Sequence, residues 1–371
     1  MNLKLDRITA PEGFLALEGE WEALLSRSPQ NGFFLTFEYL FAWWEVYGAD
    51  YELTILTARR EDGSLAGIAP LMVGRGDGAA RRHLRHLSFI GGLNDTLSEY
   101  QDFITAPEAI AEASQLFCAE IFGPLAPRWD ILHMPITLQG SGSMAELERF
   151  AGTAGCKVKH LNEHTCRYMA IAGTWDDYVG TLPSSHIRRA LRSKWKRLHN
   201  DHAVRVLEGG IDMTVAAAMD IVVALNHGRW GEEGQAFQTQ KFETFHRLLA
   251  ERLHAKGWLS MPMLEIDGTI AAARYDFVYA GKLWSFQGGW KAEFAPQSVG
   301  LMMFAASAQW ALARGIREYD FLAGDLRYKQ EISNAARTAV DIEVVNPASL
   351  RARAFHLIRS AHHAIARRPA A

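Results

Sequence analysis

The stretch Phe294-Ala295-Pro296-Gln297-Ser298-Val299-Gly300-Leu301-Met302-Met303 has the residue types and spacing best suited to chemistry. It follows a strand that ends at Gly288-Gly289 and opens a helix whose first turn carries Gln297, Ser298, Val299 and Gly300. A helix start leaves backbone N–H groups without partners and puts the positive end of the helix dipole behind them. Such a place holds an anion, notably a pyrophosphate, without any Lys. The same residues also have a purely local use, Ser298 as an N-cap and Gly300 for close packing. Context favours the ligand. The segment follows three strands and precedes another at Ile316–Leu322, so the anion would lie at the end of a splayed sheet.

Other motifs carry less. His160-Leu161-Asn162-Glu163-His164 has the spacing of a His-x-x-Glu-His zinc site, which works only where a helix brings both imidazoles to one face. Val158, Thr165 and Tyr168 around it read as extended chain, and His83/His86, His199/His202 and His362-His363 lack a third convergent ligand, so no metal site is expected. Cys118, Cys156 and Cys166 form neither a Cys-x-x-Cys pair nor a disulfide framework, which points to a reducing compartment. Two stretches are basic: Arg188, Arg189, Arg192, Lys194, Lys196 and Arg197, and a tail with Arg351, Arg353, Arg359, Arg367 and Arg368 and no acidic residue after Glu343. Each is either a solvated helix face or an attractor of a polyanion: tRNA, an anionic carrier lipid, a membrane surface or a cyclic dinucleotide.

These residues need a scaffold. The chain has 371 residues, 39 Lys+Arg against 42 Asp+Glu, and a net charge of −3, which excludes a globally basic nucleic-acid binder. With 49% apolar and 22% charged residues it reads as an ordinary globular protein, and its length suggests two packed domains or one large one. Asp6 and Arg7 interrupt any export signal, and the apolar run Val215–Leu225 contains Asp220 and falls short of the roughly 20 residues that span a bilayer. A cytoplasmic protein is expected. The first half reads as a strand at Leu3–Ile8, helices at Pro11–Arg27 and Thr36–Tyr47, strands at Leu53–Ala58, Leu65–Val73, Leu84–Ile90 and Tyr100–Ile104, a helix at Glu108–Phe122, a strand at Asp130–His133 and a helix near Met144–Ala154. A helical connector from Trp175 to about Asn200 opens with the capping pair Thr174 and Asp177. Much of the order then repeats: a strand at Val204–Leu207, helices at Met213–Asn226 and Lys241–Lys256, a hairpin through Asp267-Gly268, a strand at Lys282–Gln287, the helix Ser298–Arg314 and the strand Ile316–Leu322. A last strand at Thr338–Val345 and a helix from Ala348 to about Arg367 follow. The expected domains are 1–172, 173–346 and a basic tail, 347–371.

Four features from His227 to Lys329 carry a resemblance. They are the hairpin Leu264–Ala272 with its Tyr279-Ala280-Gly281-Lys282 turn, Gly288-Gly289-Trp290 leading to Ser298-Val299-Gly300, Gly315 before Tyr319-Asp320-Phe321-Leu322-Ala323-Gly324 and Tyr328-Lys329, and His227-Gly228-Arg229-Trp230-Gly231 upstream. In these the chain resembles the GNAT acyltransferase superfamily, and within it the CelD/BcsL-like acetyltransferase domains, relatives of the FemABX aminoacyl transferases. Phe33–Trp44 is similar to that family's opening. The resemblance implies tandem GNAT-like folds, mixed and mostly antiparallel sheets flanked by helices, plus a C-terminal helix.

It also implies a reaction, N-acyl transfer from acetyl-CoA or another acyl-CoA as co-substrate, with no metal. The thioester would insert between Lys282–Gly289 and Ile316–Leu322, with Gly288 and Gly289 at a bulge and Gln297, Ser298, Val299 and Gly300 at the pyrophosphate. Leu301 and Met302 depart from the superfamily's Arg/Gln-x-x-Gly-x-Gly/Ala loop, and the relatives that use aminoacyl-tRNA need no pyrophosphate there. Acyl transfer to an amine needs a base for the ammonium proton and an acid for the departing thiolate. Tyr328 is the expected acid, and Asp320 or His227 would orient or deprotonate the amine. Arg229, Trp230 and Lys329 would contact the acceptor or a phosphate. The family context points to an amino sugar or lipid-linked saccharide of exopolysaccharide or envelope synthesis, with contact to the inner membrane. The alternatives are an aminoacyl-tRNA-dependent transferase and a non-catalytic protein sensing a cyclic dinucleotide through its Arg-rich tail.

Overall fold

A computed structural model of the chain describes residues 2–76, 82–93, 98–231 and 236–355. The chain divides into two compact units, 1–163 with 339–371, and 164–338. The sequence reading placed boundaries after 172 and 346. In the structure they fall inside two strands, because residues 339–345 pair with a strand of the first unit.

In the first unit β1 (Lys4–Ile8), β2 (Glu52–Arg59), β3 (Leu65–Arg75) and β4 (Arg85–Phe89) form an antiparallel run in that order, with β5 (Ile104–Thr105) added to β3. The strand expected at Tyr100–Ile104 is reduced to that short β5. β4 then runs parallel to β6 (Ile131–Leu138) through His86↔Ile131 and Leu87↔Leu132. β6 pairs antiparallel with residues 339–345 of a long final strand, numbered β14 below. Among the described residues the helices beside the sheet are α1 (Pro11–Leu15), α2 (Glu18–Arg27), α3 (Phe37–Tyr47), α4 (Ile110–Phe122) and α5 (Gly142–Thr153). The single helix expected at Pro11–Arg27 breaks at Ala16-Leu17, which lets Phe14 and Trp21, both fully buried, join one aromatic cluster with Phe37.

The second unit takes up β7 (Lys157–Ala170) at His164 and continues with α6 (Trp175–Thr181), α7 (Ser185–Asp201), β8 (Val204–Glu208), α8 (Val215–Trp230), α9 (Gln240–Lys256), β9 (Leu259–Ser260), β10 (Pro262–Ile266), β11 (Thr269–Tyr279), β12 (Lys282–Trp290), α10 (Val299–Ala313), β13 (Glu318–Ala323), α11 (Arg327–Ile332) and the start of β14 (Ala335–Val345). Thr174 and Asp177 form the expected capping box on α6. The connector is two helices rather than one, because Pro183 lacks the N–H that a continuous helix requires and Ser184 caps a new start, its Oγ accepting from Ile187 N at 3.3 Å. The sheet order is β8-β10-β11-β12-β13-β7, with β9 on β11, and its pairs are antiparallel except β12 with β13. The β10–β11 and β11–β12 turns use Asp267-Gly268 and Ala280-Gly281, each with two positive φ values, the geometry whose twist matches the flanking strands. Each unit is thus an antiparallel meander whose last strand runs parallel to the strand after the next helix, the mostly antiparallel α/β fold expected.

The His160–His164 segment lies within β7, and His160 Nε2 bonds Glu148 at 3.0 Å. Among the described residues no group of three or more His, Cys, Asp or Glu could hold a metal ion. Residues 350–355 are helical and include Arg351 and Arg353, while the rest of the expected C-terminal helix, with Arg359, Arg367 and Arg368, lies outside the described residues.

Candidate functional site

β12 and β13 pair only through Lys282↔Glu318, Leu283↔Tyr319 and Trp284↔Asp320, and then part. Both strands are irregular at the parting. On β12, Ser285 faces Asp276 and Gln287 faces Tyr275, so Phe286 is the extra residue of a bulge. On β13 the register to β7 shifts between Asp320 and Ala323, and Leu322 sits at φ 60°, an uncommon conformation for a non-glycine residue. The bulge therefore lies at Phe286, not at Gly288-Gly289. The glycine pair has a packing cause: a Cβ on Gly289 would stand 2.2 Å from the carbonyl of Leu225 on α8, so only glycine admits that helix. Asn226 then donates to Gln287 Oε1 at 3.2 Å and to the Gly288 carbonyl at 3.3 Å.

On the face toward α10, a buried polar cluster sits where the strands part. Arg274 and Asp276 lie two apart on β11 and so share a face. Arg274 Nε donates to Asp276 Oδ2 at 2.9 Å, and Nη2 donates to Asp276 Oδ1 at 2.8 Å and to Ser285 Oγ at 2.5 Å. Tyr319 Oη donates to Asp276 Oδ2 at 2.6 Å. The guanidinium lies 4.3 Å over the Phe304 ring, against which Tyr328 stacks at 5.3 Å. Burial works against the charge of Arg274, but its neighbours, the facing Asp276 carboxylate foremost and Tyr319 next, together outweigh it and keep the guanidinium charged. Burial raises the Tyr319 hydroxyl well above its ordinary range and Tyr328 less, with Arg274 opposing both.

The N-terminus of α10 lies beyond the end of β12. Ser298 takes the left-handed conformation (φ 57°) and does not cap the helix with its side chain. Its Oγ instead accepts from Lys194 Nζ at 2.5 Å, which brings a cation from α7 to the site expected to work without one. Gly300 leaves room for the Trp290 indole, whose Nε1 would be 3.3 Å from an added Cβ. Arg229 lies 5.2 Å over Trp290 and 4.6 Å over Trp230. Ser298, Gly300, Trp290 and Arg229 thus gather at one end of the opening.

Residues 185–330 match the model of the acetyltransferase (GNAT) domain family. The match lies inside the second unit, which is similar to a GNAT domain. In fold, the chain is similar to FemX, at 13% identity and a TM-score of 0.63 over 96% of this chain and 99% of that one. It is also similar to L-PGS from Bacillus licheniformis, at 12% identity and a TM-score of 0.52 over 94% and 96% of the two chains, and to a DUF2156 domain from Agrobacterium fabrum, at 11% and 0.52 over 95% and 96%. No curated protein matches it in sequence.

The second unit distributes the remaining expected residues unevenly. Tyr328, on α11, faces the opening through its stack on Phe304, and its raised pKa keeps it protonated at neutral pH. Asp320 is next to Tyr319 on β13 and so points to the opposite face of the sheet, where it is fully buried, accepts from Leu322 N at 2.8 Å and faces Arg337 at 3.6 Å. Burial raises its pKa. Lys329 is buried and donates to the carbonyls of Ala323 at 2.6 Å and Leu322 at 3.5 Å. His227 bonds the Phe237 carbonyl through Nε2 at 3.0 Å. The structure therefore brings Tyr328 to the side of α10 through Phe304, and turns Asp320 and Lys329 to other partners. The sequence analysis gave no part to Arg274, Asp276 and Ser285, quoted Trp290 and Tyr319 only within the resemblance, and read Lys194 only as one of a basic run. Two opposite charges at i and i+2 in the apolar strand Thr269–Tyr279 were a usable signal, whereas nothing local linked Lys194 to Ser298, 104 residues away.

Proposed function

We propose that the GNAT domain of this acyltransferase moves an acyl group, acetyl in the first instance, from acyl-CoA to an amino group, with an amino sugar or lipid-linked saccharide of the cell envelope or exopolysaccharide as acceptor. The observation that carries the reading is the opening between β12 and β13, with a helix N-terminus and Lys194 at its mouth. Backbone N–H groups of α10 and the Lys194 ammonium would take the pyrophosphate. Tyr328 would protonate the departing thiolate. Arg229 with Trp230 and Trp290 forms a cation-bearing aromatic surface suited to the acceptor. Among the described residues no helix is long and apolar enough to cross a membrane, so contact with a lipid-linked acceptor would be peripheral. Thiol release from acetyl-CoA on addition of glucosamine, with mass analysis of the N-acetylated product, tests the reaction. No thiol release with any amino sugar would set the acceptor class aside.

A second reading, aminoacyl transfer from tRNA, is favoured by α7, which exposes Arg189, Arg192, Lys196 and Arg197 along one helix. It requires tRNA binding with a steep salt dependence and no affinity for coenzyme A. A filter-binding titration at two salt concentrations separates the readings.

A further inference from the structure

The Arg274 cluster is larger than the fold requires. A charged guanidinium in the middle strand of a sheet is costly to bury, and an apolar pair would pack there as well. Arg274 is 8% exposed and keeps a fixed orientation: Nε and Nη2 are committed to Asp276 and Ser285, and Tyr319 Oη fixes the second carboxylate oxygen from β13. Nη1 makes no hydrogen bond to any described residue. Ser285 is the first residue of β12 beyond its pairing with β13, so the guanidinium stands where the two strands part. Phe304 lies beneath it, and Tyr328 stacks on Phe304.

We propose that Arg274 is a catalytic residue of the donor site, its Nη1 donating to the carbonyl oxygen of the acyl thioester at the point where β12 and β13 part, with Asp276, Ser285 and Tyr319 as its positioning residues. This rests on the acyl-CoA reading above. In the reaction the amine nitrogen bonds to the thioester carbon while the C–O π pair moves onto oxygen, beside the guanidinium. The pair returns as the C–S bond breaks, and the proton lost by nitrogen ends on the departing sulfur. A donor fixed before the reaction stabilises the developing oxyanion without reorganising, the most effective form of such help. The rigid cage also explains why an Asp is spent on an Arg: it sets direction and leaves one N–H edge for the substrate.

The test needs no acceptor. Acetyl-CoA labelled with carbon-13 at the thioester carbonyl is bound to the full-length protein and its carbonyl resonance recorded. A hydrogen bond from a guanidinium polarises the carbonyl, so the resonance is expected downfield of free acetyl-CoA in the parent and near the free position in Arg274→Gln, with calorimetric affinity changed less than about fivefold because the pyrophosphate contacts remain. Arg274→Lys, which keeps the charge, is expected to show a reduced shift and serves if Arg274→Gln fails to fold. An equal downfield shift in the parent and the variants overturns the inference while leaving the donor reading standing. Failure of the parent to bind acetyl-CoA overturns the donor reading itself.

Discussion

A methyl group on Gly289 would meet the Leu225 carbonyl at 2.2 Å, well inside any real contact. Gly289→Ala must push α8 off β12, and is expected to cost about 3 kcal/mol, read as a lower denaturant midpoint with an unchanged slope. His246 offers a second residue-scale test. It is fully buried among Phe242, Phe245 and Phe286, and burial depresses its pKa to about 3 from 6.5. Below pH 6.5 the unfolded chain takes up a proton that the folded chain refuses, so this contribution to stability is present above pH 6.5 and is lost as the pH falls toward 3. His246→Phe is expected to flatten the acid side of the stability curve between pH 6.5 and 4, measured by chemical denaturation. At this scale the sequence displayed the glycine pair and Tyr328, but not their causes. Gly288-Gly289 reads as a bulge in one dimension because strand punctuation and helix approach both call for glycine, and only the position of Leu225 separates them.

The helices and strands of the second unit were legible because their periods are clean and their turns carry Asp-Gly and Ala-Gly pairs. Breaks within elements were not. Phe286 adds one residue to β12 without disturbing the alternation on either side enough to mark it, and the helix break at Pro183 was absorbed into one basic helical run. The consequence reaches the proposed donor site, since α7 as a separate helix delivers Lys194 to Ser298 at the start of α10. Lys194→Ala is expected to weaken acetyl-CoA binding about tenfold, with Lys194→Arg restoring most of it, and to leave the binding of desphospho fragments such as pantetheine unchanged. Equal weakening for pantetheine would place Lys194 in packing rather than at a phosphate.

Over the whole chain the two units repeat one pattern, an antiparallel meander followed by a parallel pair, and the second matches the GNAT domain family. The pattern was legible as a repeat of element order, whereas the return of residues 339–345 to the first unit was not, because strand partners so far apart in sequence leave no local trace. The central claim is that the second unit binds an acyl-CoA through the start of α10. Calorimetric titration of the protein and of Gly300→Trp with acetyl-CoA and coenzyme A tests it most directly, since an indole at 300 would collide with Trp290 and cover the helix start. Binding of both ligands to the protein, abolished in a folded Gly300→Trp, is the expected result. No heat of binding at millimolar ligand, or undiminished binding by the variant, would contradict it.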